Sequence, residues 1–205
     1  MRHFTADDLS NFETRYRNYL INSLSGYKSA NLIGTQNVSG QTNLAVFNSV
    51  VHLGSNPALL GFILRPTTVP RHSFSNMKNM GYFSVNHIGQ DMIEAAHNTS
   101  AKYPETVSEF EKTGLQPVYK TDQKVPFVEG SPVQILCRYV NNYLIEENNT
   151  RLVVGAIEEV FVQEEMLHPD GWLQLDKGNV VAINGLEGYA KTELIDRFPY
   201  ARPKE

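Results

Sequence analysis

The chain has 205 residues, 41% hydrophobic and 20% charged, with a formal net charge of -4 and a pI near 5.9. That is enough chain for one sizeable core and the composition of a globular protein, and the acidic balance argues against a nucleic-acid partner, which would want a basic face. The single cysteine, Cys137, excludes an internal disulfide and fits a reducing compartment; no signal-peptide core and no membrane-length apolar run is present, so a cytoplasmic protein with no membrane partner is expected.

Residues 5–25 read as a helix. Thr5 with Asp8 three residues on makes a capping-box-like start. Leu9, Phe12, Tyr16, Tyr19 and Leu20 recur at helical spacing, and Gly26 lies just past the end. YKSANLIGT then reads as a strand and NVSGQ as a turn. NPALLGFILR is a buried-strand pattern opened by Pro57 and closed by Arg65-Pro66. SFSNMKNMG predicts a short helix capped by Ser73 and stopped at Gly81, and YFSVNHI a further strand. QDMIEAAHNTSAKY and ETVSEFEKTG are helical stretches. PVQILCRYVNNYLIE and TRLVVGAIEEVFVQ are two long β runs joined as a hairpin through ENN, with Val133, Ile135, Cys137 and Tyr139 alternating at period two. The tail from GWLQLDKGN onward, including NGLEGYAK, reads as irregular. Strands separated by helices, with a long hairpin late in the chain, favour a β-barrel or closed sheet with attached helices over a doubly wound parallel sheet. No internal repeat or linker is seen.

The usual signatures of catalysis are missing. There is no dinucleotide or P-loop glycine pattern, no nucleophile elbow and no zinc-protease motif. The six histidines are scattered without metal-ligand spacing, and the paired glutamates read as a solvated face. Chemistry here would have to be carried by a cofactor. Three segments could hold one. TNLAVFNSVV sets Asn43, Asn48 and Ser49 among apolar residues, with small Ala45 allowing close approach; these groups either bond their own turn or meet the polar edge of a flat ligand such as a flavin. RPTTVPRHSFSNM offers Arg65, Arg71, His72 and Ser73 just before a helix, which suits one phosphate or a capped, solvated loop. GYFSVNHIG places Asn86 and His87 at a strand end, as ligand partners or as internally satisfied groups.

Taken in order, Gly34-Thr35, Ser39-Gly40, NLAVFNS from Asn43 to Ser49, LLGFILR ending at Arg65, RHSFSNM around Ser73 and GYFSVN ending at Asn86 resemble the flavin reductase-like family with the FMN-binding split barrel. The match runs from about Leu32 to Ile88. Asn48 stands where the family commonly has Ser, and Ser73 where Thr is usual. The resemblance implies a mainly β (α+β) fold, a split β-barrel of antiparallel Greek-key type with peripheral helices. It implies one FMN-binding domain over 1–205, with an N-terminal helix at 5–25, a barrel core at about 28–165 and a C-terminal extension at 166–205. It also implies a homodimer with non-covalent FMN near the subunit interface. Thr35, Asn43, Ala45, Asn48 and Ser49 would line the isoalloxazine and ribityl chain. Arg65, Arg71, His72 and Ser73 would gather around the phosphate, and Asn86 and His87 would close the site. The function implied is an FMN-dependent oxidoreductase, flavin reductase-like, with NADH or NADPH as co-substrate and a small-molecule or protein electron acceptor. The alternatives are an FMN-binding electron carrier without nicotinamide activity, an oxidase of a pyridoxine-type phosphate, and a barrel without cofactor acting as an interaction module. Trp172 and Tyr189 could cover the flavin or simply pack, and packing is the expectation for each.

Overall fold

The structure is a computed structural model that describes residues 1–203. The chain enters through two helices, α1 (Ala6–Asn11) and α2 (Thr14–Leu24), where the sequence suggested one. The predicted capping box forms: Thr5 Oγ1 accepts from Asp8 N at 3.2 Å, and the Asp8 carboxylate accepts from Thr5 N at 2.7 Å. The break falls at Phe12, whose extended backbone (ψ 147°) ends the first helix, and Glu13 caps the second by accepting from Tyr16 N at 3.0 Å. Two successive caps within eight residues give two helices.

The next predicted strand also divides. β1 (Tyr27–Ser29) and β2 (Asn31–Gln36) belong to different sheets. There follow β3 (Thr42–Phe47), β4 (Val51–Ser55), β5 (Ala58–Leu64), α3 (His72–Met80), β6 (Tyr82–His87), α4 (Ile93–Asn98) and α5 (Glu109–Thr113). The short pair β7 (Pro117–Val118) and β8 (Phe127–Val128) leads to β9 (Val133–Ile145) and β10 (Thr150–Val162), the expected long hairpin. The tail is not irregular. β11 (Val181–Asn184) and β12 (Gly188–Lys191) form a hairpin, and β11 pairs antiparallel with β1 from the other end of the chain. A four-residue strand becomes stable only with such a partner, and its sequence carries no record of one.

The main sheet is antiparallel throughout, in the order β3-β2-β6-β9-β10-β5-β4. Register shifts in β9–β10 at Val154/Gly155 and Ile157/Glu159 bend it. Gly155 permits this curl, because a Cβ there would lie 2.5 Å from the Phe83 ring. The two ends of the sheet thereby approach each other. Phe47 on edge strand β3 meets Phe62 on β5 with ring centroids 5.0 Å apart, and Phe62 meets Phe83 at 5.7 Å. Those rings fill the barrel with Ile33, Leu64, Met77, Val85, Ile135 and Val153. A second core, including Leu32, Leu44, Ile88, Phe110 and Ile183, lies on the other face of β2 and β3 beneath α4, α5 and β11. No helix among the described residues is long and apolar enough to cross a membrane.

Candidate functional site

Alternation and register sort the predicted residues onto faces. On β2, Asn31, Ile33 and Thr35 lie opposite Phe47, Ala45 and Asn43 of β3, while His87 of β6 is opposite Asn31. Cross-strand partners share a face. Thr35, Asn43, Ala45 and His87 therefore stand on the barrel-side face, with Asn31 completing the row.

At one end of that face a buried polar network joins three elements. Ser73 Oγ donates to Asn43 Oδ1 at 2.6 Å, and Asn43 Nδ2 donates to Glu109 Oε2 at 2.6 Å. The same carboxylate oxygen accepts from Leu44 N at 2.9 Å. β3 is an edge strand, and α5 covers that edge by presenting Glu109 to it. Asn76 Nδ2 donates to Thr35 Oγ1 at 3.1 Å. Because a carboxylate only accepts, the Asn43 amide has one orientation, with its oxygen toward Ser73. Glu109 carries no local sequence signal as a site residue, since it lies 66 positions from Asn43.

Ser73 is not the cap of α3, as the sequence suggested. The helix begins at His72, Arg71 is the N-cap, and no side chain caps it. The Ser73 proton is committed to Asn43 inside the first turn, because a buried hydroxyl needs its own acceptor. Gly81 ends the helix as expected, in the left-handed region at φ 77°. The uncapped N-terminus leaves first-turn N–H groups without a side-chain acceptor. His72 opens onto a narrow polar cleft that is also lined by Asn37, Gln41, Asn43, Asn76 and Glu105.

Among the described residues, the arginines around α3 have no ion-pair partner. Arg71 is half-buried, with Nε donating to Pro66 O at 3.2 Å. Arg151 of β10 was not singled out by the sequence, yet it reaches α3. Its register partner is Leu64, its guanidinium carbon lies 6.0 Å from the Phe74 ring centroid, and its Nη1 donates to Asn142 Oδ1 at 2.7 Å. Asn142 is in turn held by donating to the Tyr139 hydroxyl at 2.6 Å. Arg65 is exposed, and alternation sets it on the face opposite buried Leu64. Among the described residues none of these three arginines has a carboxylate in ion-pair range.

The remaining predicted residues divide. Asn48 Nδ2 donates to Gly185 O at 2.8 Å, and Ser49 Oγ accepts from Ile63 N at 3.0 Å. Both pin the bend between β3 and β4. Asn86 points to the face opposite His87. Its amide is spent on the fold, donating to Leu32 O at 3.1 Å and Ser84 Oγ at 2.9 Å and accepting from Val128 N at 3.0 Å. His87 Nδ1 and Asn31 Oδ1 are buried without a partner among the described residues. Burial pushes the His87 pKa down from 6.5 to about 4, so the ring is neutral at neutral pH. Tyr189 packs on the second core, and Trp172 lies beneath Arg197, with 4.4 Å from the guanidinium carbon to the ring centroid. A recess of 270 Å³ beside α2, lined by Glu13, Arg15, Asn18, Tyr19 and Leu186, shares no residue with the candidate set.

FMN is the cofactor implied by the resemblance, and the residues present fit it. A free helix N-terminus beside half-buried Arg71 suits a phosphate, and the orphaned Asn31 and His87 atoms, on the same face as small Ala45, suit the edge of an apolar ring.

A curled antiparallel barrel bearing this polar, cationic helix terminus has the architecture of the split-barrel, flavin-related oxidoreductases. The family model described as flavin reductase like domain matches residues 25–183, and the chain belongs to that family. A protein from Shewanella frigidimarina NCIMB 400 assigned as a flavin reductase with split barrel domain superposes with TM-score 0.94 and 44% identity, covering 98% of this chain and 100% of that one. Nitrilotriacetate monooxygenase component B from Bacillus cereus shares the fold at TM-score 0.81 and 18% identity, over 98% of each chain. An FMN-binding protein from Thermus thermophilus shares it at TM-score 0.74 and 16% identity, over 97% of this chain and all of that one.

Proposed function

We propose that this protein is an FMN-dependent oxidoreductase that takes its electrons from NADH or NADPH and works as a cytoplasmic homodimer. The observation that carries the reading is the N-terminus of α3, which has no side-chain cap and is flanked by guanidinium groups that, among the described residues, have no carboxylate partner. An uncapped helix end and unpaired arginines both favour a bound phosphate, and a lone phosphate without a pyrophosphate motif suits a mononucleotide.

FMN would supply the redox chemistry, and the chain's own groups bind and orient it. Arg71 and the first-turn N–H groups would hold the phosphate. The fixed Glu109–Asn43–Ser73 network would keep that end of the site rigid. Neutral His87, with Asn31, would offer hydrogen-bonding atoms at the ring edge without adding charge. Homodimer formation is supported by an apolar patch on the outward face of β4, β5, β10 and β9, where Ile63, Leu152 and Tyr143 are neighbours by register and Val51 and Leu53 lie beside Gly61. The electron acceptor is a small molecule or a partner protein.

The test begins with the visible spectrum of the desalted protein after adding FMN. Retained flavin bands that bleach anaerobically with NADH or NADPH are the expected result. Bands that persist with both but disappear with dithionite would instead make the protein an FMN-binding electron carrier. A protein that never retains flavin would overturn the reading.

A further inference from the structure

Residues 192–203, after β12, have no regular secondary structure, yet the root of this segment is held. Arg197 Nη2 meets Asp170 Oδ2 at 2.7 Å, and its guanidinium stacks on Trp172. The other Asp170 oxygen takes His168 Nδ1 at 2.8 Å and Trp172 N at 3.2 Å. These bonds, led by Arg197, hold the Asp170 carboxyl well below the usual carboxylate range. A second tie joins Leu194 N to Asp176 Oδ2 at 3.4 Å.

Among the described residues, nothing covers what this socket anchors. Ile195 is 98% exposed, Phe198 80% and Tyr200 91%. A solvated tail is normally polar, whereas LIDRFPY sets four large apolar side chains within seven residues. A built anchor at the base of a water-exposed apolar strip is the form of an arm that docks elsewhere. From Arg197 the last described residue, Pro203, is at most about 20 Å away.

We infer that residues 194–203 form an exchange arm that packs on a second copy of this chain. The inference rests on the homodimer part of the proposed function. A second copy is favoured because the chain leaves two apolar surfaces uncovered at once: the arm, and the strand patch around Val51, Leu53, Ile63 and Tyr143. A two-fold pair presents both surfaces twice, in an arrangement that closes on itself. Buried aromatic side chains cover roughly 150–250 Å² each, so Phe198 and Tyr200 of two arms, with the surfaces they cover, come to about 1,200–2,000 Å², the size of a standard stable interface.

The test keeps the full chain. A photo-crosslinking residue replaces Phe198, light and heavy-isotope chains are mixed and allowed to exchange, and cross-linked peptides are read by mass spectrometry. Heavy–light links in about half of the products are expected from equal mixing of a dimer. Links confined to one chain would overturn the inference. A second measurement compares dimer dissociation for the full chain and for a chain ending at Arg197; removing Phe198 and Tyr200 should weaken the dimer at least about 100-fold, as loss of buried aromatic anchors does. An unchanged dissociation constant would overturn the arm and leave the dimer. A full chain monomeric at every concentration would overturn both, and flavin retained by that monomer would leave the cofactor reading standing.

Discussion

Acidification should destabilise this protein through His87, and the size of the effect follows from its burial. In the unfolded chain the ring titrates at 6.5, and in the folded barrel burial lowers it to about 4. As pH falls below 6.5 the unfolded chain gains a proton that the folded one refuses. Stability contributed by the neutral ring is therefore lost between pH 6.5 and about 4, and the loss levels off below that. The slope approaches about 1.4 kcal/mol per pH unit, or roughly 3 kcal/mol across the window. Urea unfolding of the native chain and of His87→Gln, at a neutral pH and at several acidic ones, measures it. Carboxylates held low in the fold, such as Asp170, lose their contribution at still lower pH in both proteins, so they cancel in the difference. The free-energy gap between the two proteins should narrow or reverse by roughly 3 kcal/mol toward the acid end. Parallel pH curves would show that His87 is not kept neutral by the fold.

Four further outcomes are expected. Glu109→Ala strands the Asn43 amide and Leu44 N–H and should cost about 2–4 kcal/mol by chemical denaturation, whereas Glu109→Gln should cost less than about 1, because both bonds go to one oxygen. Gly34→Ala would drive a Cβ into the Pro126 carbonyl and to 2.6 Å from the Ser84 hydroxyl bonded to it, lowering stability by about 2–4 kcal/mol in the same assay. Arg71→Ala should weaken FMN binding about 10- to 100-fold with riboflavin affinity unchanged, while exposed, outward Arg65→Ala should change it less than about 3-fold; equal effects in a titration would return Arg65 to the phosphate. Cys137, buried and with its thiol pushed up to about 12, should resist alkylation until the protein is denatured.

The positions at which the sequence was legible share one property: their signals are local. Thr5 and Asp8 are one turn apart, and the capping box formed. Gly81 and Gly114 end their helices in the left-handed conformation that glycine adopts freely. Alternation in Val133–Tyr139 marked β9, and the hairpin that follows is the longest pairing in the barrel. Signals that depend on a distant partner misled. Ser73 has the residue type of a helix cap, but Asn43, 30 positions away, captures its hydroxyl. Asn86 and His87 are adjacent in sequence and were read as one feature, yet a strand sends neighbours to opposite faces. Asn86 was consumed by β2 and β8, and His87 was turned to the barrel.

The sequence by itself determined the kind of molecule: turn residues and apolar periods favour a barrel with attached helices, and an ordered set of short motifs resembles the flavin reductase-like family to which the chain belongs. The tertiary structure decided which polar groups remain free. Glu109 reaches β3 and Arg151 reaches α3 because α5 and β10 lie there, and β11, paired with β12, joins a sheet because β1 lies beside it. Periodicity records which face of an element is apolar. It holds no record of which other element will cover that face, and a buried amide, carboxylate or guanidinium takes its role from that neighbour.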